Sequence, residues 1–303
     1  MKLSEVLGIV TRGMAMGAAD VMPGVSGGTI AFITGIYPRL ITSLTSFDFS
    51  ALSLVFKLKI AEAWKQVDGN FLLSLFTGIL CSIYLFSHVV AYAFERFPVL
   101  LWSFFFGLIV ASVILMLLEL GRLRLRETLS LIAGVAFVFL ISVSPAGNLS
   151  PSPLFVFLAG FIAISAMLLP GVSGAFLLLL MGLYTPTIDA VRNLDLMYIV
   201  IFASGAALGF LSFSRLIKWL LTRFYRPTLL FLIGLLIGSL YVVWPWQLMD
   251  AQARQNLSPA DYATNVGDPM VFWAIVSAIV GAAIILSFEL ILGKQNTETE
   301  TSG

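Results

Sequence analysis

Six stretches of this chain, roughly 71–92, 99–120, 128–144, 197–220, 228–246 and 271–292, are long, apolar and nearly free of charge. A helix that crosses a bilayer needs about 20 mostly apolar residues. Backbone inside hydrocarbon must satisfy its own hydrogen bonds, so such stretches become helices. The rest of the chain agrees: of 303 residues, 59% are apolar and 11% charged, where a soluble domain carries about a quarter charged. These numbers exclude a soluble enzyme. A net charge of +1 with no basic block excludes a nucleic-acid binder, and a single cysteine, Cys81, excludes a disulfide scaffold. The sequence therefore predicts an all-α polytopic membrane protein. Lys2 and Glu5 precede no long apolar run, so no cleavable signal peptide is expected. The polar tail 294–303 is expected to be a disordered cytoplasmic tail.

Two further apolar regions, about 4–44 and 153–191, are interrupted. The first breaks at Met22-Pro23-Gly24-Val25-Ser26-Gly27-Gly28 and the second at Leu169-Pro170-Gly171-Val172-Ser173-Gly174. The breaks belong to an internal repeat. At an offset of 147, Pro23 to Gly27 match Pro170 to Gly174, and Gly35 and Tyr37 fall on Gly182 and Tyr184. At an offset of 127, Gly78, Arg96-Phe97 and Gly107 fall on Gly205, Arg223-Phe224 and Gly234; at 147 again, Gly134 falls on Gly281. One transmembrane domain, 1–293, thus divides into repeat one (1–147) and repeat two (148–293). An extra segment near 48–67 shifts the offset, and a polar loop near 247–268 restores it. Phe49, Leu52, Val55, Phe56, Ile60 and Trp64 recur at helix-like spacing in the extra segment, beside Lys57, Lys59 and Lys65. It reads as an interfacial helix or an anchored connector.

Charge decides how the broken elements run, because cytoplasmic loops carry the excess of Lys and Arg. If these elements cross the membrane, the 17 cations split eight against nine. If they dip in and return, only Arg96, Arg192 and Arg254 fall on one side and the other 14 on the opposite one. The re-entrant arrangement is therefore expected, with both termini cytoplasmic. Each half then has one re-entrant broken helix pair and three transmembrane helices, and the halves form an inverted repeat.

Pro23 and Pro170 end incoming helices, and the glycines after them let backbone approach a ligand. Ser26, Gly27, Gly28 and Thr29, and Ser173 with Gly174, open new helices. Exposed N–H groups and partial positive charge make such starts suitable for a phosphate or carboxylate. A Gly-rich packing contact is the plainer alternative. Charged residues inside membrane segments are functional candidates. Arg12 and Arg39 could hold a phosphate bidentately, and Asp20 could carry a coupling proton or simply neutralise an arginine. Arg96 and Arg223, repeat partners at helix ends, could receive a headgroup on each face, or only snorkel. His88 reads as a core or cavity histidine. The two Gly-x-Ser-Gly matches invite comparison with an intramembrane serine protease, but His88 is the one available base and could serve one serine at most. One His and one Cys cannot build an ordinary zinc site. No metal or cofactor is expected beyond coupling to a proton or sodium gradient. A scaffold that transports nothing would leave all this charge incidental.

Asp20-Val21-Met22-Pro23-Gly24-Val25-Ser26-Gly27-Gly28-Thr29, followed by Gly35-Ile36-Tyr37, resembles the hallmark of the PopT family of polyprenyl-phosphate translocases. So does Leu169 to Gly174 with Gly182-Leu183-Tyr184. The resemblance covers nearly the whole chain. It implies a bacterial plasma-membrane protein, not an enzyme, whose partner is undecaprenyl phosphate. The implied task is to return this carrier from the outer to the cytoplasmic leaflet for peptidoglycan and surface-polymer synthesis. The copies differ where Gly28-Thr29 becomes Ala175-Phe176. A transporter or channel for a small soluble anion is the alternative, and a homodimer is left open.

Overall fold

The computed structural model describes residues 3–20, 27–143, 152–249 and 254–300, and within them not the side chains at 52, 83, 86–91 (His88 among them), 94–95, 143, 176, 179–180, 249, 254 and 288–300. Repeat one comprises α1 (Leu3–Asp20), α2 (Gly27–Ile33), α3 (Tyr37–Thr45), α4 (Phe49–Phe56), α5 (Ile60–Gln66), α6 (Gly69–Arg96), α7 (Pro98–Leu120) and α8 (Leu125–Val143). Repeat two comprises α9 (Pro153–Met167), α10 (Gly174–Leu180), α11 (Tyr184–Arg192), α12 (Leu196–Arg223), α13 (Tyr225–Ser239), a hairpin of β1 (Gln247–Met249) and β2 (Arg254–Asn256), α14 (Pro259–Asn265) and α15 (Val271–Glu300). Each of the six long apolar stretches forms a helix over most of its length. By length and composition α7, α8 and α12 can cross a membrane, and the described parts of α6, α9, α13 and α15 are shorter apolar helices.

Three boundaries differ from the sequence reading. The fifth apolar stretch stops being helical at Ser239, not near residue 246. Pro245 has no N–H to continue a helix, and the Trp244 and Trp246 indoles donate to the carbonyls of Leu257 and Pro269 at 2.9 and 2.8 Å. The 48–67 segment is two short helices, because Leu58 between them takes a left-handed φ of 58°. Helix α15 continues to Glu300, through residues whose polarity reads as a tail.

Four helix pairs dominate the packing: α1 with α6, α9 with α12, α7 with α15, and α8 with α13. Small residues let the backbones touch, the usual basis of helix association in membranes. The contacts recur at the repeat offsets. A Cβ on Gly13 would strike the Leu75 carbonyl and one on Gly78 that of Val10; their counterparts Gly160 and Gly205 would strike those of Phe202 and Phe157. Likewise Gly107 and Gly281 meet Ala278 and Phe104, as Gly234 and Gly134 meet Leu131 and Phe231. The first two pairs lie within single halves, whereas the last two join one half to the other.

The direction of packing is informative. Gly13 faces Leu75 and Gly78, while Gly17, one turn later, faces Ile79 and Ser82. Helices α1 and α6 therefore run parallel. Gly160 and Gly205 with Gly209 against Phe161 give α9 and α12 the same sense. Two consecutive long elements can run parallel only if the chain between them returns to its starting end. Arg39 near the start of α3 accordingly reaches Glu5 at the start of α1, with Nη1 to Oε1 at 3.2 Å.

Candidate functional site

The two motif regions meet between the halves. Buried Thr29, in the first turn of α2, accepts a hydrogen bond at its Oγ1 from Gly171 N–H at 2.8 Å. Tyr37, one turn of chain further, is buried and donates its hydroxyl to the Leu168 carbonyl at 2.6 Å. These bonds fasten α2 and α3 to the 168–173 loop, 131 and 142 residues away. The loop needs its glycine: Gly171 has a φ of +81°, and a Cβ there would press on the Leu235 carbonyl of α13. Ser173, Gly171 and Val172 line a void of about 10 Å³ with Val138, Ile141, Ser142 and Val242. That void holds at most one water.

Asp20 closes the first motif on itself. Its Oδ1 accepts from Gly27 N–H at 2.6 Å, at the start of α2. A carboxylate thus stands on an N–H group that an anionic ligand would use. Gly28 and Thr29 follow on the same turn. Ser26 lies outside the described residues, so the protease comparison, which needs Ser26 and the His88 side chain, has no geometry here.

The arginines lie elsewhere. Arg12 is two turns before Asp20 on α1; its Nη1 donates to the Gly8 carbonyl at 3.3 Å, and its buried Nε has no partner among the described residues. Arg39 sits at the opposite end of the broken element from Asp20. Its Nε and Nη2 bond to Asp68 at 2.7 and 3.2 Å, its Nη1 to Glu5, and its guanidinium lies 4.5 Å from the Phe71 ring centre. Among the described residues neither arginine forms an ion pair with Asp20. The structure therefore brings Asp20, Gly27, Thr29 and Gly171 together and keeps Arg12 and Arg39 apart from them. Arg96 and Arg223 are exposed where α6 and α12 end. The next residues, Phe97 and Phe224, share one kinked conformation (φ −136° and −133°, ψ 49° and 51°) and each packs edge-on against Tyr92 or Trp219.

Sequence reasoning passed over two features. Glu127 accepts from Arg226 Nε at 2.7 Å and from Arg124 N–H at 2.8 Å, and Arg226 Nη2 also reaches the Leu120 carbonyl at 3.2 Å. This clasp ties the α7–α8 turn to α13. Its repeat counterparts are uncharged: Ala274 and Val99 pack with Tyr262 in an apolar cluster beside Trp246 and Leu257. One end of the cross-half packing is closed by an ion pair, the other by apolar contact. The signal was the same one-sided charge that singled out Arg12 and Arg39. The second feature is a groove beside Arg215.

Fold and site together define a multi-pass helical membrane protein of two like halves, with broken elements meeting between them. A family model described as VCA0040-like, undecaprenyl phosphate translocase-like, matches residues 16–259. The chain is 40% identical over 300 residues to a polyprenyl-phosphate transporter of Vibrio cholerae serotype O1, covering 95% of this chain and 97% of that one. It is 31% identical over 255 residues to a polyprenyl-phosphate transporter of Staphylococcus aureus, covering 78% and 85%. No solved structure matches. The chain belongs to the undecaprenyl phosphate translocase-like family.

Proposed function

We propose that this protein carries a polyprenyl phosphate, in bacteria undecaprenyl phosphate, across the plasma membrane. The direction in this reading is from the outer to the cytoplasmic leaflet, recycling the carrier for peptidoglycan and surface-polymer synthesis. The observation that carries the reading is the junction of Thr29 with Gly171, which joins both Gly-rich motifs at the boundary of the halves. The parallel packing of α1 with α6 and of α9 with α12 supports two re-entrant elements, and the Lys and Arg distribution supports inverted halves with cytoplasmic termini. A lipid phosphate cannot enter hydrocarbon unaided, because desolvating its charge costs too much. Backbone N–H groups of Gly27, Gly28 and Gly174, with Ser26, Thr29 and Ser173, would replace its water. Arg12, whose buried Nε has no partner among the described residues, would hold the phosphate on its way past α1. Arg39 would anchor the cytoplasmic mouth, with Arg96 and Arg223 receiving headgroups outside and inside.

Asp20 supplies a coupling step in this reading. Its carboxylate and the lipid phosphate compete for Gly27 N–H. Protonation weakens the carboxylate as an acceptor and releases that N–H to the phosphate. Loss of the proton returns the carboxylate and expels the lipid. Asp20→Asn should therefore still bind lipid but lose the dependence of transport on a proton gradient. Transport by that variant that still followed the gradient would remove Asp20 from coupling.

Ligand-dependent thermal stabilisation of the purified protein separates lipid from small anion. Polyprenyl phosphate should raise the unfolding midpoint, and inorganic phosphate at the same concentration should not. Equal stabilisation by both would favour the soluble-anion reading.

A further inference from the structure

The α4–α5 segment has no counterpart in repeat two, and it roofs a groove of about 680 Å³. Phe49, Val55 and Trp64 form part of the roof; Leu72 and Phe76 of α6 and Leu211 of α12 form part of the floor. The roof is fixed to the floor at one point. The Trp64 ring lies so close over Gly69 that a Cβ there would collide with it, and its indole N–H donates to Asn70 Oδ1 at 2.9 Å. The groove's acid, Asp48, is already engaged: it accepts from Ala51 N–H at 2.9 Å and from Gln66 Nε2 at 3.1 Å. The groove's cation is not neutralised. Arg215 lies two turns before the end of α12, and its Nη1 donates to the Leu211 carbonyl of its own helix at 2.7 Å. Among the described residues no carboxylate pairs with it.

A largely apolar groove of about 680 Å³ with one unneutralised guanidinium on its lining is complementary to an amphiphile with a single anionic head. A guanidinium pairs bidentately with phosphate. We infer that this groove is a docking station for the transported lipid phosphate, with the phosphate on Arg215 and the first isoprenoid units under the α4–α5 roof. The inference rests on the transport reading and extends it to a surface site distinct from the central junction. The station belongs to the side of the membrane that carries the 48–67 segment, where the lipid is delivered or collected.

The test uses the full chain in nanodiscs, with a benzophenone side chain placed at Leu73 in the groove or, as a control, at exposed Ile279 on α15. Radiolabelled undecaprenyl phosphate is the probe, and transport by the unmodified protein is followed in parallel. The groove position should label strongly. Unlabelled undecaprenyl phosphate should compete at least about tenfold better than undecaprenol or phosphatidylglycerol, the factor expected for one charge-assisted pair. Arg215→Gln should lower labelling by about the same factor and Arg215→Lys by much less. The undecaprenol comparison needs no variant, so it stands even if Arg215→Gln fails to fold. Labelling no stronger than at Ile279, or equal competition by phosphatidylglycerol, would overturn the station. Transport that persists alongside either result would leave the transport reading standing. Specific labelling in a protein that moves no undecaprenyl phosphate would instead overturn transport and leave a lipid-phosphate site.

Discussion

Gly13 and Gly35 are both glycines of the first broken element, yet a methyl group would meet different things at each. At Gly13 it would run into the Leu75 carbonyl of α6; at Gly35, where φ is +74°, it would meet nothing within 4 Å. Gly13→Ala must push two helices apart, a cost of about 3 kcal/mol. Gly35→Ala must hold alanine in a left-handed turn, a cost of about 1 kcal/mol. Thermal unfolding in detergent should therefore show a drop several times larger for Gly13→Ala, and equal drops would contradict the close backbone contact of α1 with α6. Arg39 and Asp68 form the other informative pair, with side chains 40% and 37% exposed. Their coupling in a double-mutant cycle should be small, below about 1 kcal/mol, because solvent screens both ends. The repeat explains the pairing. Asp195, the counterpart of Asp68, caps α12 by accepting from Tyr198 N–H at 3.1 Å, and the counterpart of Arg39 is Pro186. Asp68 makes no side-chain cap on α6 and holds Arg39 instead.

At the level of elements, the prediction concerns the fastening of α2 to the 168–173 loop. Thr29→Val keeps the shape of the side chain but removes the acceptor of Gly171 N–H. An orphaned buried N–H costs about 1–3 kcal/mol, so Thr29→Val should destabilise by that amount and Thr29→Ser by much less. Chemical unfolding of the two variants checks this, and matched losses would mean that the methyl group matters as much as the hydroxyl at this contact. The helices themselves were legible in sequence because hydrocarbon leaves an apolar stretch few alternatives to a helix. Their ends were less so. The stop of α13 at Ser239 depends on indole bonds to carbonyls more than ten residues away, and the break between α4 and α5 depends on one left-handed leucine. Neither leaves a periodic trace. The motif copies were legible as a pair, and the structure brings Thr29 beside the first to Gly171 of the second. The destination of Asp20 was not legible: an acid beside arginines reads as their partner, and only the turn of the chain brings Gly27 N–H to it.

For the whole molecule, the duplicated packing is broken in one telling place. The Glu127–Arg226 clasp closes one end of the cross-half contact, and Val99, Ala274 and Tyr262 close the other. Glu127 is buried, with its side chain 6% exposed, while Arg226 reaches solvent at 42%. Removing the arginine leaves a buried carboxylate without its partner, whereas removing the acid leaves an arginine that can turn outward. Arg226→Ala should therefore destabilise more than Glu127→Ala, which thermal unfolding of both variants can read; the reverse order would contradict the burial of Glu127. Movement of the lipid between leaflets can be read with purified protein in liposomes containing headgroup-labelled undecaprenyl phosphate. Label should be lost from one leaflet when the protein is present, faster with a proton gradient, and more slowly with Thr29→Val or Arg12→Ala. Label that stays in its leaflet, with either a proton or a sodium gradient imposed, would contradict that movement.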